Sequence, residues 1–167
     1  MRQSIVMSLM LLILSAAHGQ NRDSIAAMVM RAPIAHAAHT STGGVSLRLR
    51  GVYIRDGLLW CAFDAQTRSS VDFRGDVMRF WLQPGHTVRR QAQQELRWLA
   101  VYGNSPVVLR SNSSATFCYA VPARAPSRRQ LLRVEWVERN GDRRLWLYIP
   151  AKRMVGARKL PAGARKS

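Results

Sequence analysis

The chain is predicted to be all-β: an antiparallel, immunoglobulin-like β-sandwich of about seven or eight short strands. Three observations carry that reading. Between residues 46 and 150, apolar side chains recur at every second position, as in "SLRLR" and "TFCYAV". Gly, Pro, Asn and Ser clusters cut this stretch into short runs. Asn140-Gly141 joins the alternating runs "LLRVEWVER" and "DRRLWLYIP", a strong short hairpin signal. A period of two gives each strand one greasy and one wet face, and two greasy faces stack to exclude water.

The elements follow in order. Residues 20–45 form a linker with a short helix in "DSIAAMVMRA", capped by Asp23 or Ser24 and stopped by Pro33. "HTSTGG" continues the linker. Leu47 and Leu49 share one strand face, with Arg48 and Arg50 opposite. After Gly51 the apolar phase slips to Val52 and Ile54, which predicts a β-bulge. "RDG" turns tightly into residues 58–66, apolar on both faces, as an inner strand covered from both sides would be. "VMRFWL" points Met78, Phe80 and Leu82 inward and Arg79 outward. "LRWLAVYG" and "PVVLR" give two short strands, and "ATFCYAVP" places Phe117, Tyr119 and Val121 on one face. Leu132, Val134 and Trp136 then face the same side as Leu145, Leu147 and Ile149. Trp81 and Trp146 fall opposite the main stripes, either simply on the second sheet face, the favoured reading, or on a partner surface.

Location is read from the first residues. Arg2, the apolar run Ile5 to Leu14 and the small-x-small pattern Ala17-His18-Gly19 make residues 1–19 a cleavable signal peptide. The protein is therefore expected to be exported from the cytoplasm. Export permits a disulfide between Cys61 and Cys118, both in strands. Two small buried hydrophobes are the alternative.

Charge is the other outlying property. The 167 residues carry 26 Lys and Arg against 9 Asp and Glu, a net charge of +17. Residues 46–150 hold 17 Arg and 8 acids, and residues 151–167 hold six cations and no acid. The latter reads as a disordered basic tail suited to an anionic membrane surface. Positive loops suggest contacts at Arg89 and Arg90, at Arg124, Arg128 and Arg129, and at Lys152 and Arg153. Staying soluble is the competing use of such charges.

Motifs for chemistry are sparse. No G-x-S-x-G, H-E-x-x-H or phosphate-binding Gly loop occurs, and no cofactor or metal is expected. His36 and His39 are spaced for one side of a helical turn but have no neighbouring ligands, so a solvated linker is the reading. Asp64, Asp72 and Asp76 are the only candidate carboxylates for an envelope glycan-acting site, and strand-end aspartates more often form turns and pair with arginine. A nucleic-acid module contacting transferred DNA fits the charge. Arginine is scattered through every strand, however, and export removes the chain from cytoplasmic DNA.

The ordered set "LRGVYIRDGLLW", "TRSSVDF", "DVMRFWL", Gln94-Glu95, Ala120-Val121-Pro122 and "VEWVERNGDRRLWL" resembles the C-terminal domain of the TraN proteins of Bacteroidetes conjugative transposons. The likeness spans about residues 44–150. It implies a non-enzymatic envelope subunit of a type IV secretion-like conjugation apparatus. Such a subunit docks to other apparatus proteins through sandwich edges and Arg-rich loops, with oligomers allowed. Members of that family carry a large N-terminal β domain, so this chain is expected to be a short or trimmed member. Cys61 and Cys118 are not part of the family pattern.

Overall fold

The computed structural model describes residues 21–35, 38–85 and 95–160. Helix α1 covers residues 21–31. Strands β1 (Ala38–Thr42), β2 (Val45–Arg55) and β3 (Leu58–Thr67) follow as a meander. Then come β4 (Phe73–Arg74), β5 (Arg79–Pro84), β6 (Leu96–Trp98), β7 (Tyr102–Gly103) and β8 (Val108–Leu109). The long strands β9 (Ser114–Pro122), β10 (Gln130–Val137) and β11 (Arg144–Pro150) precede helix α2 (Ala151–Val155) and β12 (Arg158–Lys159). Twelve strands thus occur among the described residues, more than sequence reasoning expects. The surplus is in two- and three-residue segments too short to show a period.

One sheet has the order β1-β2-β3-β9-β7, with β12 added parallel to β2. The second has the order β11-β10-β5-β6, and β4 and β8 form a separate pair. The sheets stack as an antiparallel all-β sandwich. Leu47, Leu49, Phe63 and Phe117 from the first sheet meet Phe80, Leu132, Trp136 and Leu147 from the second, and all are buried. Each fully buried side chain of this size contributes roughly 1.5–3 kcal/mol. Ala151 and Met154 of α2 join the same core.

The slip at Gly51 is a β-bulge, with the β2–β3 register shifting between Leu49 and Gly51. A Cβ on Gly51 would lie 2.6 Å from the Tyr53 hydroxyl, so no larger residue fits without displacing that ring. Asp56 (φ 49°) and Gly57 (φ 70°) make the tight β2–β3 turn, where a positive φ favours glycine. The β10–β11 hairpin forms in the expected register, Trp136 opposite Leu145 and Val134 opposite Leu147. Its connection is longer than a two-residue turn. It runs from Glu138 to Arg143, whose backbones pair at 2.9 Å and whose side chains form an ion pair.

Strand β3 is covered on both sides, as its apolar composition requires. Its second face is covered by α1: Ile25, Ala26 and Val29 pack on Tyr53, Trp60, Ala62, Cys118 and Ala120. A helix this short is marginal alone, and burial of its apolar stripe holds it. Asp23 and Ser24 lie inside the helix rather than capping it, and Asp23 accepts a hydrogen bond from the Tyr102 hydroxyl. Pro33 follows the helix end, and its carbonyl accepts from Tyr53.

Three further expectations are corrected. "HTST" is strand β1 rather than linker, and His39 stands exposed on it. Its polar alternation concealed an edge strand whose backbone pairs with β2. The start of the basic tail is ordered, because Met154 enters the core and Leu160 packs in the α1 layer. Cys61 and Cys118 are free, not bonded. Cys61 lies opposite Tyr119, and Cys118 lies opposite Ala62. One residue of offset sends their side chains to opposite faces of the sheet, Cys61 into the inter-sheet core and Cys118 under α1. Burial pushes both thiols up to about 12, so neither ionises near neutrality. Both are expected to resist iodoacetamide in the folded protein and to react after guanidinium unfolding. A mobility change on reduction would contradict this.

The signal peptide, His36, Arg89, Arg90 and residues 161–167 lie outside the described residues. No helix among the described residues is long and apolar enough to cross a membrane.

Candidate functional site

The sandwich distributes its exposed chemistry over three neighbouring surfaces. The first is a cationic groove. Arg128 and Arg129, from the β9–β10 loop, and Lys152, from α2, line it together with Gly85, Gln130, Leu131, Pro150 and Ala151. Gly85 N–H donates to the Arg129 carbonyl at 2.6 Å, which ties the end of β5 to this loop. Residues proposed from separate stretches of sequence thus converge on one site. Arg124 is exposed on the same loop but lies outside that lining. Arg153 sits on another side of α2, in a hollow with Tyr53 and Arg158. It directly follows Lys152 in the helix, so about 100° of rotation separates their directions.

The second surface is the outer face of the four-stranded sheet. Register places Tyr148, Arg133, Trp81 and Arg97 in one row across β11, β10, β5 and β6. The row alternates aromatic and cation. Both guanidinium groups lie over the Trp81 ring, Arg133 at 5.6 Å and Arg97 at 5.8 Å from its centroid. Arg133 is also held bidentately by Glu95, both contacts at 3.1 Å. The stacking has a cost: Trp81 Nε1 and Arg133 Nε are shut off from solvent without a hydrogen-bond partner among the described residues. The adjoining row is Trp146, Glu135 and Arg79, with Trp146 Nε1 donating to Glu135 at 3.3 Å. Trp146 is 49% exposed and Tyr148 45%. Trp146 and Trp81 thus stand on the second face of their sheet, opposite the core stripe, and that face is open at Trp146. Among the described residues a covering helix packs on the first sheet alone, and none of them shields this side of the second.

The third surface is an edge. β6 ends the second sheet and β7 ends the first, and the short link Leu99 to Val101 joins them. Leu96, Leu99 and Val101 are exposed along it.

The three candidate carboxylates do not converge. Asp64 accepts from Arg50 at 3.0 Å and from Thr116 at 2.7 Å on the outer face of the first sheet. Asp72 accepts the Ser111 backbone N–H. Asp76 pairs with Arg79 and Arg139 at 3.7 Å. No group of three metal-ligating side chains occurs among the described residues. The arginines of "SLRLR" are explained by this packing: Arg48 faces water, and Arg50 pairs with Asp64.

Glu138 and Arg143 form the best-sheltered ion pair, beside Phe73, over whose ring Arg143 lies at 5.3 Å. Hydrogen bonding to Arg143 holds the Glu138 carboxyl below its usual range. The folded state therefore releases this proton more readily than the unfolded chain. The resulting stability is full above the unfolded carboxyl pKa and is lost as pH falls through the folded one. Glu138→Gln is expected to destabilise the protein at neutral pH, with the difference from wild type shrinking on acidification. Urea melts across the acid range check this, and a constant difference would contradict it.

The family comparison falls on this same body. A family model described as a domain of unknown function, DUF4138, matches residues 21–159, from α1 through β12. The chain belongs to the DUF4138 family. No curated protein and no solved structure matches it. The DUF4138 match takes in α1, which packs on the first sheet, and β12, which pairs with β2 within it.

Sequence reasoning missed the row Tyr148, Arg133, Trp81, Arg97. Its signal was present in the outward positions of "RFWLQP" and "LWLYIP". Only strand order and register align those positions across four strands.

Proposed function

We propose that this DUF4138 protein is a non-enzymatic interaction subunit of a cell-envelope conjugative transfer complex of the type IV secretion kind. On this reading it is exported to the periplasm and associated with the outer membrane. The observation that carries the proposal is the β6–β7 side, where both sheets end beside one another and three aliphatic side chains, Leu96, Leu99 and Val101, stand exposed. Exposed sheet edges with apolar side chains are sites for adding a partner's strand or loop. The Arg128, Arg129 and Lys152 groove adds charge steering. The likeness of residues 44–150 to the C-terminal domain of TraN proteins supports the conjugative setting.

The test is photo-crosslinking in the native envelope with the reactive group at Leu99. Crosslinks to other transfer proteins are expected, and Val101→Glu should reduce their yield by ~tenfold or more. Recovery of the tagged protein alone from the cytoplasm would defeat the proposal.

A further inference from the structure

We infer that the outer face of the four-stranded sheet, with the groove at its end, is a docking surface for an acidic extended segment of a partner protein. The two surfaces are continuous. Along β11, β10 and β5 the outward rows run from Trp146, Glu135 and Arg79, through Tyr148, Arg133 and Trp81, to Pro150, Leu131 and Gln83. Leu131 and Pro150 of the last row also line the groove with Arg128, Arg129 and Lys152. An extended chain crossing these rows would meet two half-exposed aromatic rings about 7 Å apart on one strand. Beyond them it would reach three cations with no acidic side chain in the lining.

Charge complementarity sets the occupant. Arg97 and Arg144 have no carboxylate partner among the described residues, whereas Arg133 and Arg79 are paired with Glu95 and Glu135. The glutamates favour a protein segment over nucleic acid. They would repel a continuous phosphate backbone laid across the sheet, but leave room for spaced carboxylates at Arg97, Arg144 and the groove. Exposed Trp, Tyr and Arg side chains are also the types that anchor protein interfaces.

This inference rests on the docking reading above and shares its cationic groove, but it adds the outer sheet face and does not use the β6–β7 edge, so the two can fail separately. Purified full-length protein is titrated with a short fluorescein-labelled peptide of glutamate and leucine. An oligo-dT of equal charge and polygalacturonate serve as competing probes. The peptide is expected to bind most tightly and to change tryptophan fluorescence. Trp146→Ala with Tyr148→Ala should weaken it by about tenfold or more. Arg128→Glu with Arg129→Glu should weaken it and flatten its salt dependence. All four side chains are exposed, so thermal melts should match wild type and separate lost binding from lost folding. Tighter binding of oligo-dT or polygalacturonate, no peptide binding, or peptide affinity unchanged in both double variants would each overturn the inference. Loss of envelope crosslinks at Leu99 with peptide binding intact would sink only the earlier proposal.

Discussion

Replacing Trp136 by alanine is expected to cost about 3–5 kcal/mol, the range for emptying a large buried aromatic site. Trp136 is fully buried where the sheets meet, 4.6 Å from the Phe73 ring and 5.3 Å from the Phe117 ring. Its indole N–H donates to the Asp76 carbonyl at 3.1 Å, joining β10 to the segment that leads into β5. Alanine removes the volume, both ring contacts and that hydrogen bond. Phenylalanine restores most of the volume but leaves the carbonyl unpaired, so Trp136→Phe should cost less, with roughly 1–3 kcal/mol from the lost partner. Urea titrations at neutral pH check both. A midpoint for Trp136→Ala within error of wild type would mean that the sheets do not close over this side chain.

The second large effect is expected at the helix. Val29 is fully buried between α1 and the first sheet. Val29→Asp places a carboxylate among the buried apolar side chains of Trp60, Cys118 and Ala120. Several kcal/mol of desolvation then oppose docking, and α1 should release while the inter-sheet core persists. Trp60, fully buried beneath the helix layer, should become solvated. The measurements are a red shift in tryptophan emission and a lowered urea midpoint. Unchanged emission with an unchanged midpoint would show that the helix adds nothing to the sheet it covers. Arg31→Ala, on an exposed residue of the same helix, is the control and should be near neutral.

The contrast between these sites shows what was legible in advance. Trp136 belongs to an alternating strand, and its inward direction follows from its phase with Leu132 and Val134. The need for a cover over β3 was also legible, because "LLWCAF" is apolar on both faces. That α1 provides it was not, since a short apolar helix carries no mark of where it docks. The cysteines show the same limit. Both sit in strands that pair directly, yet one residue of register turns their sulfurs to opposite faces. The candidate sites divide likewise. Arg128, Arg129 and Lys152 were identifiable as charged loop and terminal residues, but their meeting at one groove depends on the path of β5, β10 and α2.

Local residue patterns settle the strand phases, the bulge at Gly51, the Asp56-Gly57 turn and the β10–β11 pairing. Each is decided by contacts between residues close in the chain, through side-chain alternation and backbone sterics. Tertiary structure alone decided which strands neighbour one another, hence the Tyr148–Arg133–Trp81–Arg97 row, the free cysteines and the order in β1 and β12. Those depend on register between segments far apart in sequence, where burial of the whole core selects one arrangement and no local pattern records it.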